Sequence, residues 1–159
     1  MICPNLKFLS VSECKRLTNL GIGEVLRRCP AITQLHINGL EVSDVFGCCS
    51  DHSVVNLKTL KARHTQNLQY LDIGLCKELT DKGVMEVVRN CERLRDIRLL
   101  RCEKVSSNIL HQMVLSRPSL GNIDPPCFGD LSEQMTKKFL SLGCRLGLPP
   151  AGGCHSILL

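Results

Sequence analysis

Eleven cysteines and five histidines are the residues of this sequence best suited to chemistry. Thiolates and imidazoles bind zinc, and a cysteine beside a histidine can act as a nucleophile with its base. The densest group is Cys48, Cys49 and His52, which supplies three ligands where zinc needs four, and adjacent cysteines chelate less well than C-x-x-C. A plain loop explains this group better, so we predict no metal and no cofactor.

Catalytic motifs give no stronger signal. Neither a G-x-S-x-G element nor a phosphate-binding loop occurs, and nothing places a third group beside any cysteine and histidine pair. We therefore predict that the protein is not an enzyme.

The cysteines instead follow a repeat. Residues 5–29 and 67–91 share twelve identities in 25 positions at an offset of 62, and a second offset of 26 carries Cys76 onto Cys102. At that spacing the two Cα atoms should lie ~5 Å apart on neighbouring strands, a distance that permits a disulfide. Because their side chains should stack in parallel into the core, we favour buried free thiols.

A unit of 26 residues headed by L-x-x-L-x-L is typical of a leucine-rich repeat, in which a short strand is followed by a turn and a returning helix. The sequence thus predicts an α/β leucine-rich-repeat solenoid, a right-handed horseshoe with parallel strands on the concave face and short helices on the convex face. The strand heads begin at Leu6, Ile32, Leu57, Leu68 and Leu94, with a degraded sixth at Leu120.

Amphipathic segments follow the first and fourth strand heads, with apolar residues at i, i+3, i+4 and i+7. They run from Ile22 to Cys29 and from Val84 to Cys91. Asn19, Asp81 and Ser107 precede helical segments, and we predict them as N-caps.

The organisation along the chain has three parts. Leucine-rich repeats are expected over 1–120, with an irregular stretch at 43–67 because only 11 residues separate Leu57 from Leu68. A capping region with a helix opened by 130–133 is expected over 121–146, and a disordered tail over 147–159. The shortened unit suggests a splice variant or truncated form of a longer solenoid, and we expect further chain upstream of Met1 to cover the first strand.

The charge and hydropathy of the sequence limit the classes of partner that we expect. The net charge of +5 comes from 20 basic and 15 acidic residues with no like-charge run longer than two, which argues against nucleic acid. No apolar stretch approaches the ~20 residues that span a bilayer, and the first residues are unlike a signal peptide. We predict a cytoplasmic or nuclear protein without a membrane partner.

The segment from Cys3 to Ile22, echoed from Leu71 to Val84, resembles the cysteine-containing leucine-rich repeats of F-box proteins. The resemblance covers roughly residues 3–120. It implies a solenoid that captures a protein substrate for an F-box (SCF-type) ubiquitin ligase. The 159 residues contain no F-box, so contact with the ligase scaffold is expected only if an F-box is present elsewhere.

Side chains that flank the inward leucines should point to the concave sheet, the usual binding surface of a solenoid. We predict binding of the protein partner there, and Asp72 and Arg98 could equally well just pair across the sheet. The predicted contact residues are Phe8, Gln34, His36, Lys61, Tyr70, Asp72, Asp96, Arg98 and Leu100.

Two alternatives stay open. A leucine-rich-repeat regulator or inhibitor could bind an enzyme directly, although such repeats run nearer 28 residues and lack the recurring cysteine. The chain could also be too incomplete to fold stably by itself.

Overall fold

Short parallel strands and short helices alternate along the chain. The computed structural model describes residues 3–14, 17, 19–40, 42–43, 55–56, 65–127, 129 and 131–147. The strands are β1 (Phe8–Ser10), β2 (Gln34–His36), β3 (Val42–Ser43), β4 (Val55–Asn56), β5 (Tyr70–Asp72), β6 (Asp96–Arg98), β7 (Asn122–Asp124) and β8 (Arg145–Leu146). The helices are α1 (Asn19–Arg28), α2 (Asp81–Asn90), α3 (Ile109–Ser116) and α4 (Glu133–Ser141).

Six of these strands form one open sheet in the order β1-β2-β5-β6-β7-β8, and every neighbouring pair is parallel. The central residues of the first five strands, Leu9, Leu35, Leu71, Ile97 and Ile123, stand side by side in register. A parallel neighbour requires a crossover, and the helices provide it. The α/β repeat architecture predicted from the sequence is confirmed.

The core lies between the sheet and the helices. Val84, Val87 and Val88 of α2 are buried, and Leu71 and Ile97 of the strands join them in one cluster. Each fully buried aliphatic side chain contributes about 1.5–3 kcal/mol to folding. With no tryptophan and only 3% aromatic residues, the stability of this core rests on aliphatic and cysteine side chains.

The turns after β1, β2, β5 and β6 each place one residue in the left-handed region. These residues are Glu13, Gly39, Leu75 and Arg101, with φ values of 60°, 67°, 59° and 59°. The conformation costs a non-glycine residue roughly 1–2 kcal/mol. Its recurrence at the same repeat position shows that the turn, and not the residue type, dictates the backbone.

Cys76 and Cys102, which follow two of these turns, are buried free thiols as predicted. The Cys102 Sγ donates to the Ile73 carbonyl of the preceding repeat at 3.1 Å, and the Cys76 Sγ lies 3.8 Å from the Ile37 carbonyl oxygen. Burial raises the pKa of Cys76 to about 12 and that of Cys102 to about 11. Both thiols therefore stay protonated at neutral pH and serve packing.

The irregular stretch corrects the predicted repeat count. Residues 57–62, the predicted third strand head, lie outside the described residues, but β2 pairs directly with β5, placing Gln34 beside Tyr70. That offset is 36 residues, whereas Phe8 pairs with Gln34 at an offset of 26. The second unit and the 11 residues expected as a third are thus one enlarged repeat of 36 residues between neighbouring strands of the sheet, and β3 and β4 within it form a separate parallel pair.

Two predicted N-caps are wrong. The residue before α2 is Thr80, and the Asp81 Oδ1 accepts a hydrogen bond from the Ser106 backbone N–H of the next repeat at 2.7 Å. Asn108, not Ser107, precedes α3. Asn19 begins α1, and its side chain lies outside the described set. Asp81 links neighbouring repeats because the two turns lie side by side, a contact that local sequence does not report.

The segment after Pro118 is more regular than expected. The position of the degraded head forms the full strand β7, and the Ser132 side chain caps α4 by accepting from the Met135 N–H at 3.1 Å. Strand β8 then joins the sheet, and the Gly147 N–H donates to the Ile123 carbonyl at 2.8 Å. Gly147 thus continues the sheet edge, while residues 148–159 of the predicted tail lie outside the described residues.

Candidate protein-binding face

Among the described residues, the buried side chains of the helices pack against one side of the six-stranded sheet. The other side displays the side chains that alternate with the central residues of the strands. We call it the open sheet face. Two register rows cross it. Its residues are Phe8, Ser10, Gln34, His36, Tyr70, Asp72, Asp96, Arg98, Asn122, Asp124 and Arg145.

An aromatic row crosses the first three strands of this face. The His36 ring centroid lies 5.0 Å from that of Phe8 and 4.9 Å from that of Tyr70, stacked on the latter at 29°. Phe8 is 52% exposed. Aromatic residues are favoured at protein interfaces, and rings that already pack on one another have little side-chain freedom left to lose on binding.

Asp72 ties three strands together beneath this row. Its side chain is 6% exposed, and its Oδ1 accepts from the Gly74 N–H at 3.1 Å while its Oδ2 accepts from the Asn38 amide at 3.1 Å. The same Oδ2 lies 3.5 Å from the His36 Nδ1 and 3.8 Å from the Arg98 Nη1. A buried carboxylate is tolerated because these donors replace its water.

Arg98 makes its shortest contact with a residue that sequence reasoning missed. Its Nε donates to the Asp124 Oδ2 at 2.6 Å, and its Nη1 donates to the Tyr70 hydroxyl at 3.4 Å. The Tyr70 hydrogen bond, and then the Asp124 one, raise the pKa of Arg98. The predicted pair of Asp72 and Arg98 is present at 3.8 Å. Arg98 lies between two carboxylates, however, and its contact with Asp72 is longer than its contact with Asp124.

The far strands contribute Asn122, Asp124 and Arg145, none of which was among the predicted contacts. The Asn122 amide donates to the Asp96 Oδ1 across neighbouring strands. The signal was available, because Asn122 and Asp124 flank Ile123 as Asp96 and Arg98 flank Ile97. It was overlooked because the repeat pattern weakens after Pro118.

Leu100 lies apart from the strands, at the turn end of the face. With Asn38, Asp72, Gly74 and Arg98 it lines a cavity of about 80 Å³. Small-molecule sites usually measure about 300–1,000 Å³, so this space suits a water or one side-chain tip. A Cβ at Gly74 would lie 3.1 Å from the Leu100 carbonyl oxygen, so glycine permits the close approach of the two turns.

The predicted contact residues therefore separate into groups. Phe8, His36 and Tyr70 meet in the aromatic row, and Asp72 joins it to Arg98. Asp96 and Gln34 lie on the same face, in register with Tyr70. Lys61, like the Cys48, Cys49 and His52 group, lies outside the described residues.

Among the described residues, no three cysteine, histidine, aspartate or glutamate side chains are grouped so as to hold a metal ion. No helix among these residues has the length and apolar character needed to cross a membrane.

Comparison with known proteins agrees with the geometry. A family model described as "Leucine Rich repeat" matches residues 64–88, which include β5 and most of α2. The chain is 29% identical over 150 residues to "F-box/LRR-repeat protein 4" of Bos taurus, covering 84% of this chain and 22% of that protein. It is 22% identical over 111 residues to "BTB/POZ domain-containing protein FBL11" of Arabidopsis thaliana, covering 69% and 12%.

The parallel sheet, its short helices and the family match at residues 64–88 show that this chain has an α/β leucine-rich-repeat fold. Its predicted resemblance to the F-box/LRR family is confirmed by the relative of that name, at low identity. The chain spans about a fifth of the length of that relative and about an eighth of the other.

Proposed function

We propose that this chain is a protein-binding module whose open sheet face holds a substrate protein for an F-box-type ubiquitin ligase. The observation that carries the binding part is the aromatic row of Phe8, His36 and Tyr70 on the open sheet face, in which Phe8 is 52% exposed and the other two rings are half-buried. Repeat solenoids typically bind partners on the extended surface that such a sheet provides. The link to ubiquitin rests on the name of the Bos taurus relative.

The structure supports a preformed surface. Each strand is hydrogen-bonded to its neighbours, and Asp72 holds His36 and Arg98 from beneath. A surface that needs no rearrangement avoids part of the entropy cost of association.

Site-specific photo-cross-linking tests the binding surface. A benzoylphenylalanine placed at Phe8, which is 52% exposed, replaces one aromatic ring by another, and the same group at Leu140 of α4, which is 53% exposed, is the matched control. We expect a protein partner to be cross-linked from position 8 and not from position 140. Equal capture at both positions, or none at position 8, would refute binding on the open sheet face.

The ubiquitin role needs its own measurement. The cross-linked partner should lose ubiquitin and persist longer in cells from which the natural protein carrying these repeats has been removed. If its ubiquitination and lifetime do not change while its enzymatic activity does, the ligase role fails and direct regulation of an enzyme takes its place.

A further inference from the structure

The charge of the open sheet face differs from that of the chain. Strands β5, β6 and β7 present three carboxylates, Asp72, Asp96 and Asp124, and one guanidinium, Arg98. These three strands therefore carry a formal charge of about −2 on this face, and Arg145 of β8 brings the whole open sheet face to about −1, while the whole chain carries +5. A partner of complementary charge at this place is cationic, since matched potentials favour the correct partner.

Arg98 is not free to receive an anion. Its Nε is bonded to Asp124 at 2.6 Å, and its Nη1 contacts both the Tyr70 hydroxyl at 3.4 Å and Asp72 at 3.8 Å. An acidic side chain arriving there would meet a cation already shared by two carboxylates. This arrangement argues against recognition of an acidic segment.

Asp96 is in the opposite situation. Its carboxylate accepts from the Asn122 amide, and among the residues that the structure describes it has no ion-pair partner. It is half-buried and stands directly beside Tyr70 in the register of β5 and β6. Neighbouring strands lie ~4.8 Å apart, so the carboxylate borders the end of the aromatic row.

The aromatic row supplies the other half of the recognition. The His36 ring lies between those of Phe8 and Tyr70, so the three rings form a contiguous aromatic surface in which Phe8 is exposed and the other two are half-buried. Lysine and arginine bury their methylene stems on apolar surface while keeping the charged end at a polar group. The aromatic row, which ends at the Asp96 carboxylate without an ion-pair partner among the described residues, suits such a side chain.

We infer that the open sheet face recognises an extended segment of the partner protein that carries a lysine or arginine. The stem of that side chain crosses Tyr70 and its charge pairs with Asp96, while an apolar residue of the same segment rests on His36 and Phe8. The position over Tyr70 and the position over His36 and Phe8 lie about 7–10 Å apart by strand spacing, a distance that an extended chain spans in two or three residues. The inference rests on the proposed binding function and adds the chemistry of the partner.

Fluorescent ten-residue peptides test this chemistry. Each carries one leucine and, two or three positions away, a lysine, an arginine, the uncharged norleucine or a glutamate. Binding to the full chain is measured by fluorescence anisotropy at low and at physiological salt. We expect the lysine and arginine peptides to bind about 1.5- to fivefold more tightly than the norleucine peptide, the range for one solvent-exposed ion pair.

Charge variants decide which residue is responsible. Asp96→Asn should abolish the preference for lysine, while Glu133→Gln, which removes the same charge from the 83% exposed Glu133 on α4, should leave it intact. Circular dichroism spectra of both variants check that the sheet is retained. Equal binding of lysine and norleucine peptides, a preference for glutamate, a lysine preference that survives Asp96→Asn, or no binding of any peptide would overturn the inference.

The two proposals fail separately. If a partner is cross-linked from position 8 but the peptides show no charge preference, the binding surface stands and the basic-segment inference is wrong. If no partner is cross-linked from position 8, the proposed function itself fails.

Discussion

Replacing Asp72 with alanine tests whether one buried carboxylate organises the open sheet face. The change leaves the Gly74 N–H and the Asn38 amide without their acceptor, and each buried unsatisfied donor costs about 1–3 kcal/mol. His36 and Arg98 also lose a charged neighbour. We expect the free energy of unfolding to fall by about 3–5 kcal/mol, because two hydrogen bonds to a charged group are lost at about 1.5–3 kcal/mol each.

Urea unfolding followed by circular dichroism measures this loss. With a slope of about 2 kcal/mol per molar urea, the midpoint should fall by about 2 M. Asp96→Ala is the control, because its carboxylate bonds one amide at the surface and should cost less than about 1 kcal/mol. Asp72→Asn, which keeps the acceptor for Gly74, should lie between the two.

A midpoint shift below about 0.5 M for Asp72→Ala, or one no larger than that of Asp96→Ala, would refute this reasoning. The parent chain provides a second test in the same experiment. A single cooperative transition is expected if the repeats fold as one unit, and a chain too incomplete to fold would show none.

Two further predictions concern the stacking of repeats. The Arg117 guanidinium donates to the carbonyls of Arg89 at 2.8 Å and Val88 at 3.0 Å in α2 of the preceding repeat, so Arg117→Met should cost about 2–3 kcal/mol by urea unfolding. Arg95→Met, the control with the same charge change at an exposed site, should lower the free energy of unfolding by less than about 0.5 kcal/mol. Equal losses of stability at both sites would contradict the role of Arg117 in holding the two repeats together. Burial raises the pKa of Cys76 from 9.0 to about 12, so the folded state keeps a proton that the unfolded chain releases. The free energy of unfolding should therefore be unaffected by this thiol below pH 9 and should fall as the pH rises from about 9 towards 12. Cys76→Ala should make this fall with pH smaller. A free energy of unfolding that does not change over this pH range in the parent chain would contradict the burial of the thiol.

Several features of the fold could be read from the sequence because they depend on local periodicity. Leu9, Leu35, Leu71 and Ile97 mark the buried centre of each strand, and the structure aligns them as neighbours. The spacing of Val84, Val87 and Val88 places them on the buried face of α2. Period 2 in a strand and period 3.6 in a helix determine which side chains point inward, whatever the partner element is.

The aromatic row was also partly predictable. Phe8, His36 and Tyr70 occupy outward positions of their strands, so each could be placed on the open sheet face from sequence. That they touch could not be predicted, because β2 and β5 are neighbours only through an enlarged repeat of 36 residues. The predicted strand head at Leu57 would have placed a strand between them and separated His36 from Tyr70.

The sequence by itself thus determined the repeat, the inward and outward faces and the burial of Cys76 and Cys102. Only the tertiary structure decided which strands are neighbours, that Asp72 is buried and accepts hydrogen bonds from Gly74 and Asn38, and that Arg98 bonds Asp124. The physical reason is that a side chain's inward or outward direction follows from its own backbone, whereas its partner depends on which distant segment is hydrogen-bonded beside it.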